Sequence, residues 1–250
     1  MRILTFANQK GGVAKTTSAV NVAVGLAMLH SKRVLLVDAD PQANATYATV
    51  GATEPALTIY DLLINDADLA ACVMPTRLPS LSLLPSSIDL AGAEVELLSE
   101  TGGQTLLRSK LRAANYDYII IDAPPSLGLL CVNTLAAATE VMIPVAVGVF
   151  ALKGLGRLEE TIAKVKSRLD RPDLRIGGVF VTMADQTNVA RDVSEAIQVR
   201  YGALAFTTII PRSVRTEEAH SRALSVFEHA PGSAGAVAYE QLIQEIINRG

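Results

Sequence analysis

Short runs of β-branched and other apolar residues recur along the chain at 3–7, 34–38, 81–84, 118–122, 141–145, 176–182 and 207–210. Each is too short for a helix and nearly free of polar positions, so it reads as a strand buried on both faces. Longer stretches with helical character separate the runs, and this alternation predicts an α/β fold: a mostly parallel central sheet with helices on both faces. In the predicted helix 16–29, Val20, Ala23 and Ala27 join enough small apolar neighbours to leave few polar positions, so this helix is expected to be buried against the sheet. The final stretch, 234–248, sets Val237, Tyr239, Leu242, Ile243, Ile246 and Ile247 largely along one face, as expected for a helix packed on the core. The segment 66–80 carries prolines at 75 and 79 and little periodicity; it reads as a surface excursion.

Composition narrows this picture. The 250 residues suit one domain, 1–250, around a continuous sheet. Tryptophan is absent and half the residues are hydrophobic, so the core must be built from Ala, Val, Leu and Ile. A net charge of -3 argues against a chain that coats nucleic acid over its whole surface; any such contact must be local. Cys72 and Cys131 lie far apart without metal-ligand spacing, which points to a reducing, cytoplasmic setting. No uninterrupted apolar stretch is long enough to span a bilayer. The polar face of 234–248 bears Glu240 and Glu245, where a helix lying on a membrane would carry Lys or Arg.

The chemistry is concentrated at the carboxyl ends of three predicted strands. The first runs into Asn8-Gln9-Lys10-Gly11-Gly12-Val13-Ala14-Lys15-Thr16-Thr17 and then into a helix. A strand, a Gly-rich loop and a helix start hold phosphates, because consecutive backbone N–H groups and the helix N-terminus converge on an oxyanion. Lys15 adds a full charge for the β- and γ-phosphates, and Thr16 offers a hydroxyl to Mg²⁺. The strict G-x-x-x-x-G-K-[ST] pattern fails, since position 9 is Gln and position 14 is Ala. The second strand ends in Asp38-Ala39-Asp40-Pro41, whose carboxylates at i and i+2 are expected to converge on the phosphate site. The apolar strand 118–122 delivers Asp122, the Walker B arrangement, toward Mg²⁺.

The string Lys10-Gly11-Gly12-x-x-Lys15-Thr16-Thr17 resembles the deviant Walker A motif of the ParA/MinD family of partitioning ATPases, in which a second lysine precedes the glycines. VDADPQANAT, IIIDAPPSLG, EVMIPV, VTMAD and IIPRSVRTEEA extend the resemblance over nearly the whole chain. It implies a P-loop ATPase fold and a slow, Mg²⁺-ATP-dependent switch that dimerises face to face on ATP. Lys10 would cross to the partner's phosphates and Asp40 would position the attacking water, with Lys10, Lys15 and Asp40 as catalytic groups. Thr16, Asp40 and Asp122 would surround the metal. Residues 10–17, namely Lys10, Gly11, Gly12, Val13, Ala14, Lys15, Thr16 and Thr17, would hold the nucleotide phosphates, and Met183, Pro211 and Arg212 the adenine. Where the family usually has Gly, Ala14 must adopt a backbone conformation that its Cβ tolerates.

The same resemblance implies chromosome or plasmid segregation with a ParB-like centromere-binding partner and non-specific, nucleoid-associated DNA binding through Arg191, Arg215 and Arg222. From 186 to 230 the arginines are balanced by nearby acids, so a solvated, charge-neutral surface is the competing reading, and the segment 212–220 departs from the family's usual wording. The basic run Lys164, Lys166, Arg168, Arg171 and Arg175 reads as a soluble outer face. A MinD-like positioning ATPase would need a membrane tail. An iron–sulfur reductase would need a second cysteine near Cys131. A scaffold that binds ATP without hydrolysing it is the non-enzymatic alternative.

Overall fold

Among the residues that the computed structural model describes, 1–148, 151–185 and 187–250, the apolar runs become strands β1 (Arg2–Phe6), β2 (Val34–Asp38), β4 (Leu81–Leu84), β5 (Tyr118–Asp122), β6 (Glu140–Ala146), β7 (Arg175–Ala184) and β8 (Ala205–Pro211). With a two-residue strand β3 (Met74–Pro75) they form one sheet in the order β3-β4-β2-β5-β1-β6-β7-β8. Every neighbouring pair is parallel except β3–β4. Alternation along each strand feeds two cores: Ile119 and Ile121 of β5 face one layer, while Tyr118 and Ile120 face the other.

One face is covered by α1 (Lys15–Met28), the helix Val226–His229 and the C-terminal helix Ala234–Asn248. The other carries the helices Leu90–Ser99, Leu106–Leu111, Leu129–Ala137, Leu155–Arg168 and Asn188–Tyr201. The helix α1 is sandwiched between the sheet and the C-terminal helix, which explains its nearly uniform apolar character. In the C-terminal helix, Tyr239, Leu242, Ile243 and Ile246 are fully buried, so its apolar face is covered by the core. Val237 departs from that expectation and faces solvent. No helix among the described residues is long and apolar enough to cross a membrane.

Two readings need correction. The segment 66–80 is not only a surface excursion, because it contributes the short helix Leu69–Cys72 and the edge strand β3. Pro75 is tolerated there because an edge residue need not donate to the ladder. The basic run 164–175 is not wholly a solvated face either. Arg171 is buried, donating from Nη2 to the Ala138 carbonyl at 2.7 Å and to Asp173 at 2.8 Å. Arg175 reaches Glu140 at 3.5 Å.

Gly25 lies where α1 meets its covering helices. A Cβ there would collide with Ile243 Cδ1 and stand 2.9 Å from the Phe227 ring. Gly25→Val should therefore lower the unfolding free energy by about 2–3 kcal/mol through overpacking, read as a lower urea midpoint at unchanged m-value.

Candidate functional site

β1 delivers a loop braced from two neighbouring strands. Asn8 donates from Nδ2 to the Pro144 carbonyl at 2.7 Å and accepts the Lys10 N–H at 3.0 Å. Thr182 of β7 donates to the Val13 carbonyl at 3.0 Å. Gly12 has φ 69°, a left-handed conformation suited to glycine, and neither Gly11 nor Gly12 has an atom within 4 Å of where a Cβ would stand. Ala14 is left-handed too, φ 57° and ψ 32°, and serves as the N-cap of α1 without any side-chain cap. The first-turn N–H groups of α1, those of Thr16 and Thr17 included, are thus left to an external acceptor. Lys10 is exposed, lies against Gly148 after β6, and has no carboxylate partner among the described residues.

Lys15 is buried and turns onto the acidic strand ends. Its Nζ lies 2.7 Å from Asp122 Oδ1 and 3.9 Å from Asp40 Oδ2. Burial pushes Asp122 above the usual carboxylate range, against the opposing pull of the Lys15 charge and the Thr16 hydroxyl. Asp122 Oδ2 is buried and makes no hydrogen bond. A hydroxyl, two carboxylates and an unused lone pair form a hard-oxygen set that fits Mg²⁺ completed by phosphate and water, so these residues suit the expected ion.

Asp38 departs from the expectation that both carboxylates of the second strand converge on the phosphates. Its Oδ2 accepts the Thr46 N–H at 2.7 Å and the Thr46 hydroxyl at 2.8 Å, and its Oδ1 accepts the Asp40 N–H at 3.2 Å. It faces the start of α2 (Asn44–Val50) instead. Burial, and next the charge of Asp122, push it up to about 7. Asp40 alone of the pair stands beside Lys15; its Oδ1 accepts the Gln42 N–H at 3.0 Å.

A half-open cleft adjoins the loop. Its lining includes Ala14, Thr17, Met183, Ile210, Pro211 and Arg212, together with Thr216, Glu217, His220 and Tyr239. Met183, Pro211 and Arg212, drawn from distant segments, are thereby brought together beside the helix start. Met183 takes a left-handed φ of 53°. Tyr239 donates to Ser18 Oγ at 3.2 Å, since the Ser18 proton goes to the Ala14 carbonyl at 2.7 Å.

A family model described as an AAA domain matches residues 1–176. The chromosome-partitioning ATPase Soj of Treponema pallidum is 44% identical over 99% of this chain and 98% of its own. The sporulation initiation inhibitor protein Soj of Bacillus subtilis is 42% identical over 100% of this chain and 99% of its own. The chain belongs to the Soj/ParA family of partitioning ATPases. Among solved structures, a cobyrinic acid a,c-diamide synthase from Mycobacterium smegmatis with bound ADP and magnesium superposes with a TM-score of 0.83 at 35% identity, covering 98% of this chain and 93% of that one.

For this Soj/ParA-family chain, the arginines expected at DNA do not share one element. Arg191 lies exposed in the first turn of the helix Asn188–Tyr201, on the face opposite α1. Arg215 and Arg222 lie exposed on and just after the helix Val214–Ser221, which leads to the α1 face, and Arg215 pairs with Glu218 at 2.9 Å. Asn8, Thr46, Thr182 and His220 were not singled out from the sequence. Each acts through a contact made by folding, and His220 Nε2 is buried in the cleft wall without a hydrogen bond.

Two predictions follow from this geometry. Ala14→Gly should remove about 1–2 kcal/mol of left-handed strain, partly offset by about 0.4–1 kcal/mol of added unfolded-state entropy. The urea midpoint should rise slightly. The raised Asp38 carboxyl binds a proton in the folded state that the unfolded chain releases, so its contribution to stability is present below about pH 4 and is lost as pH rises through about 7. Asp38→Asn lacks that titration. The stability difference between the two proteins should therefore move in favour of the variant from pH 5 to 8, measured by urea unfolding at each pH.

Proposed function

We propose that this chain is a Mg²⁺-ATP-dependent switch ATPase of chromosome or plasmid segregation that dimerises on ATP. The carrying observation is the Lys15 ammonium held between Asp122 and Asp40 at the mouth of a phosphate-type loop. The N–H groups at the start of α1 and the Lys15 charge bind the β- and γ-phosphates. Thr16, Asp122 and Asp40 would hold Mg²⁺, which neutralises phosphate charge when bound. Met183, Pro211 and Arg212 hold the adenine. The Gln42 N–H fixes the Asp40 carboxylate through Oδ1, and Oδ2 would accept a hydrogen bond from the attacking water and orient it. Lys10, exposed and unpaired with any carboxylate among the described residues, is free to reach a second copy's phosphates.

The finer reading follows the family: the ATP-bound dimer binds duplex DNA non-specifically through Arg191, Arg215 and Arg222, and a ParB-like protein accelerates hydrolysis. Two copies double a patch that is charge-balanced in one, which makes DNA binding depend on nucleotide through avidity. Cytoplasmic, nucleoid-associated placement goes with that. A membrane-positioning role is less favoured, because the C-terminal helix has its apolar face in the core.

Three variants test the reading. Lys15→Ala should abolish ATP binding by calorimetry. Asp40→Ala should elute as a dimer with ATP and retain DNA binding but lose turnover, whereas Lys10→Ala should lose turnover and the stable dimer. Wild type that dimerises on ATP yet never releases phosphate would leave the scaffold reading in its place, and DNA binding equal with ADP, ATP and no nucleotide would remove the switch.

A further inference from the structure

A second cavity lies at the opposite end of the sheet from the nucleotide cleft, where β1, β6 and β7 begin. It encloses about 650 Å³, and its lining includes Arg108, Arg112, Arg171 and Asp173. Arg108 and Arg112 stand one helical turn apart, on the helix Leu106–Leu111 and at its C-cap. Both are exposed, and neither side chain has a hydrogen bond or an ion pair among the described residues. Like charges at i and i+4 repel, a cost that an anion held between them would remove. Arg171 is fixed differently: Nε and Nη2 hold Asp173 at 3.0 and 2.8 Å, Nη2 also holds the Ala138 carbonyl, and the buried Nη1 makes no hydrogen bond.

We propose that this cavity is a second, separate site for a small phosphate-bearing anion. Three guanidinium groups face a single carboxylate, and that carboxylate is held below the usual range first by its bonds with Arg171 and further by the charge of Arg108. The surplus positive charge is therefore permanent at any physiological pH. The hydroxyls of Thr105 and Ser109, also in the lining, already donate to the Gly102 and Thr105 carbonyls, so recognition falls to the guanidinium forks. Such forks match phosphate oxygens in paired hydrogen bonds. Arg171 supplies an immobile charge in the wall, and the exposed Arg108 and Arg112 close on the ligand from the rim. The concave shape suits a compact ligand better than a duplex, whose phosphates lie on a convex surface.

The test titrates inorganic pyrophosphate by calorimetry at low salt, in wild type saturated with Mg²⁺ and ADP and, in parallel, in Lys15→Ala without nucleotide, so that the loop 8–14 does not contribute. Binding is expected in both backgrounds. Adding Arg108→Glu and Arg112→Glu, both at exposed positions, should weaken it at least tenfold while leaving ADP affinity and the circular dichroism spectrum unchanged. No pyrophosphate binding, or equal affinity with and without the two substitutions, would overturn the proposal. So would loss of duplex DNA binding in the double variant when wild type fails to bind pyrophosphate, since the arginines would then read a nucleic-acid backbone.

Discussion

Two carboxylates, Asp38 and Asp122, stand directly across from each other on neighbouring parallel strands, both wholly buried. Left alone they could not both ionise in so dry a setting. The folded chain treats them differently. Asp122 receives the ammonium of Lys15, and Asp38 receives three neutral donors from Thr46 and Asp40. Burial and the facing charge push Asp38 toward its neutral form, while Asp122 is the one provided with a cation. The position of Lys15, and with it the start of α1, is tied to this division of roles.

The consequences travel outward through hydrogen bonds. The Thr46 hydroxyl that donates to Asp38 also accepts the Ser86 N–H at 2.9 Å. Ser86 leads into the helix Leu90–Ser99, whose Glu94 accepts the Leu130 N–H at 3.3 Å, just beyond the Pro124-Pro125 segment after Asp122. At Gly128 any Cβ would collide with the Glu94 carboxylate, so glycine permits this contact. The loops after β2, β4 and β5 are therefore joined into one bonded unit around the buried acids.

Much of this was legible in the sequence because it rests on local pattern. The buried strands, the loop 8–17 and the Asp at the end of β5 announce themselves by apolar runs followed by chemistry-bearing residues. The parts that were not legible depend on partners remote in sequence. Strand β3 has two residues and no period to read. Asp38 looked equivalent to Asp40 because i and i+2 share a strand face, yet the chain leaves strand geometry after Asp38 and only Asp40 reaches Lys15. Arg171 looked like one more surface charge, but the Ala138 carbonyl, 33 residues away, takes it inward. His220 carries no signal of its own in the sequence, and its place comes from the cleft wall.

Part of the backbone strain follows the same geometry. Ala14, Ala43 and Met183 all take left-handed conformations that residues with a Cβ avoid, and each lies at a strand-to-helix turn or strand end at the carboxyl edge of the sheet. Such conformations cost of order 1–3 kcal/mol each and persist only where surrounding contacts over-determine them. Those contacts are present: Thr182 and Asn8 brace the loop before Ala14, Asp38 holds Thr46 just after Ala43, and Met183 follows Thr182 directly. At Ala14 the strained turn leaves the first N–H groups of α1 open at the carboxyl edge of the sheet, and at Ala43 it starts α2 where Thr46 can satisfy Asp38. At these three junctions the strain positions charged groups, although Ser31, Asp66, Asp170 and Ala223 are left-handed as well, and the sheet behind them is built from buried aliphatic strands able to hold those junctions in place.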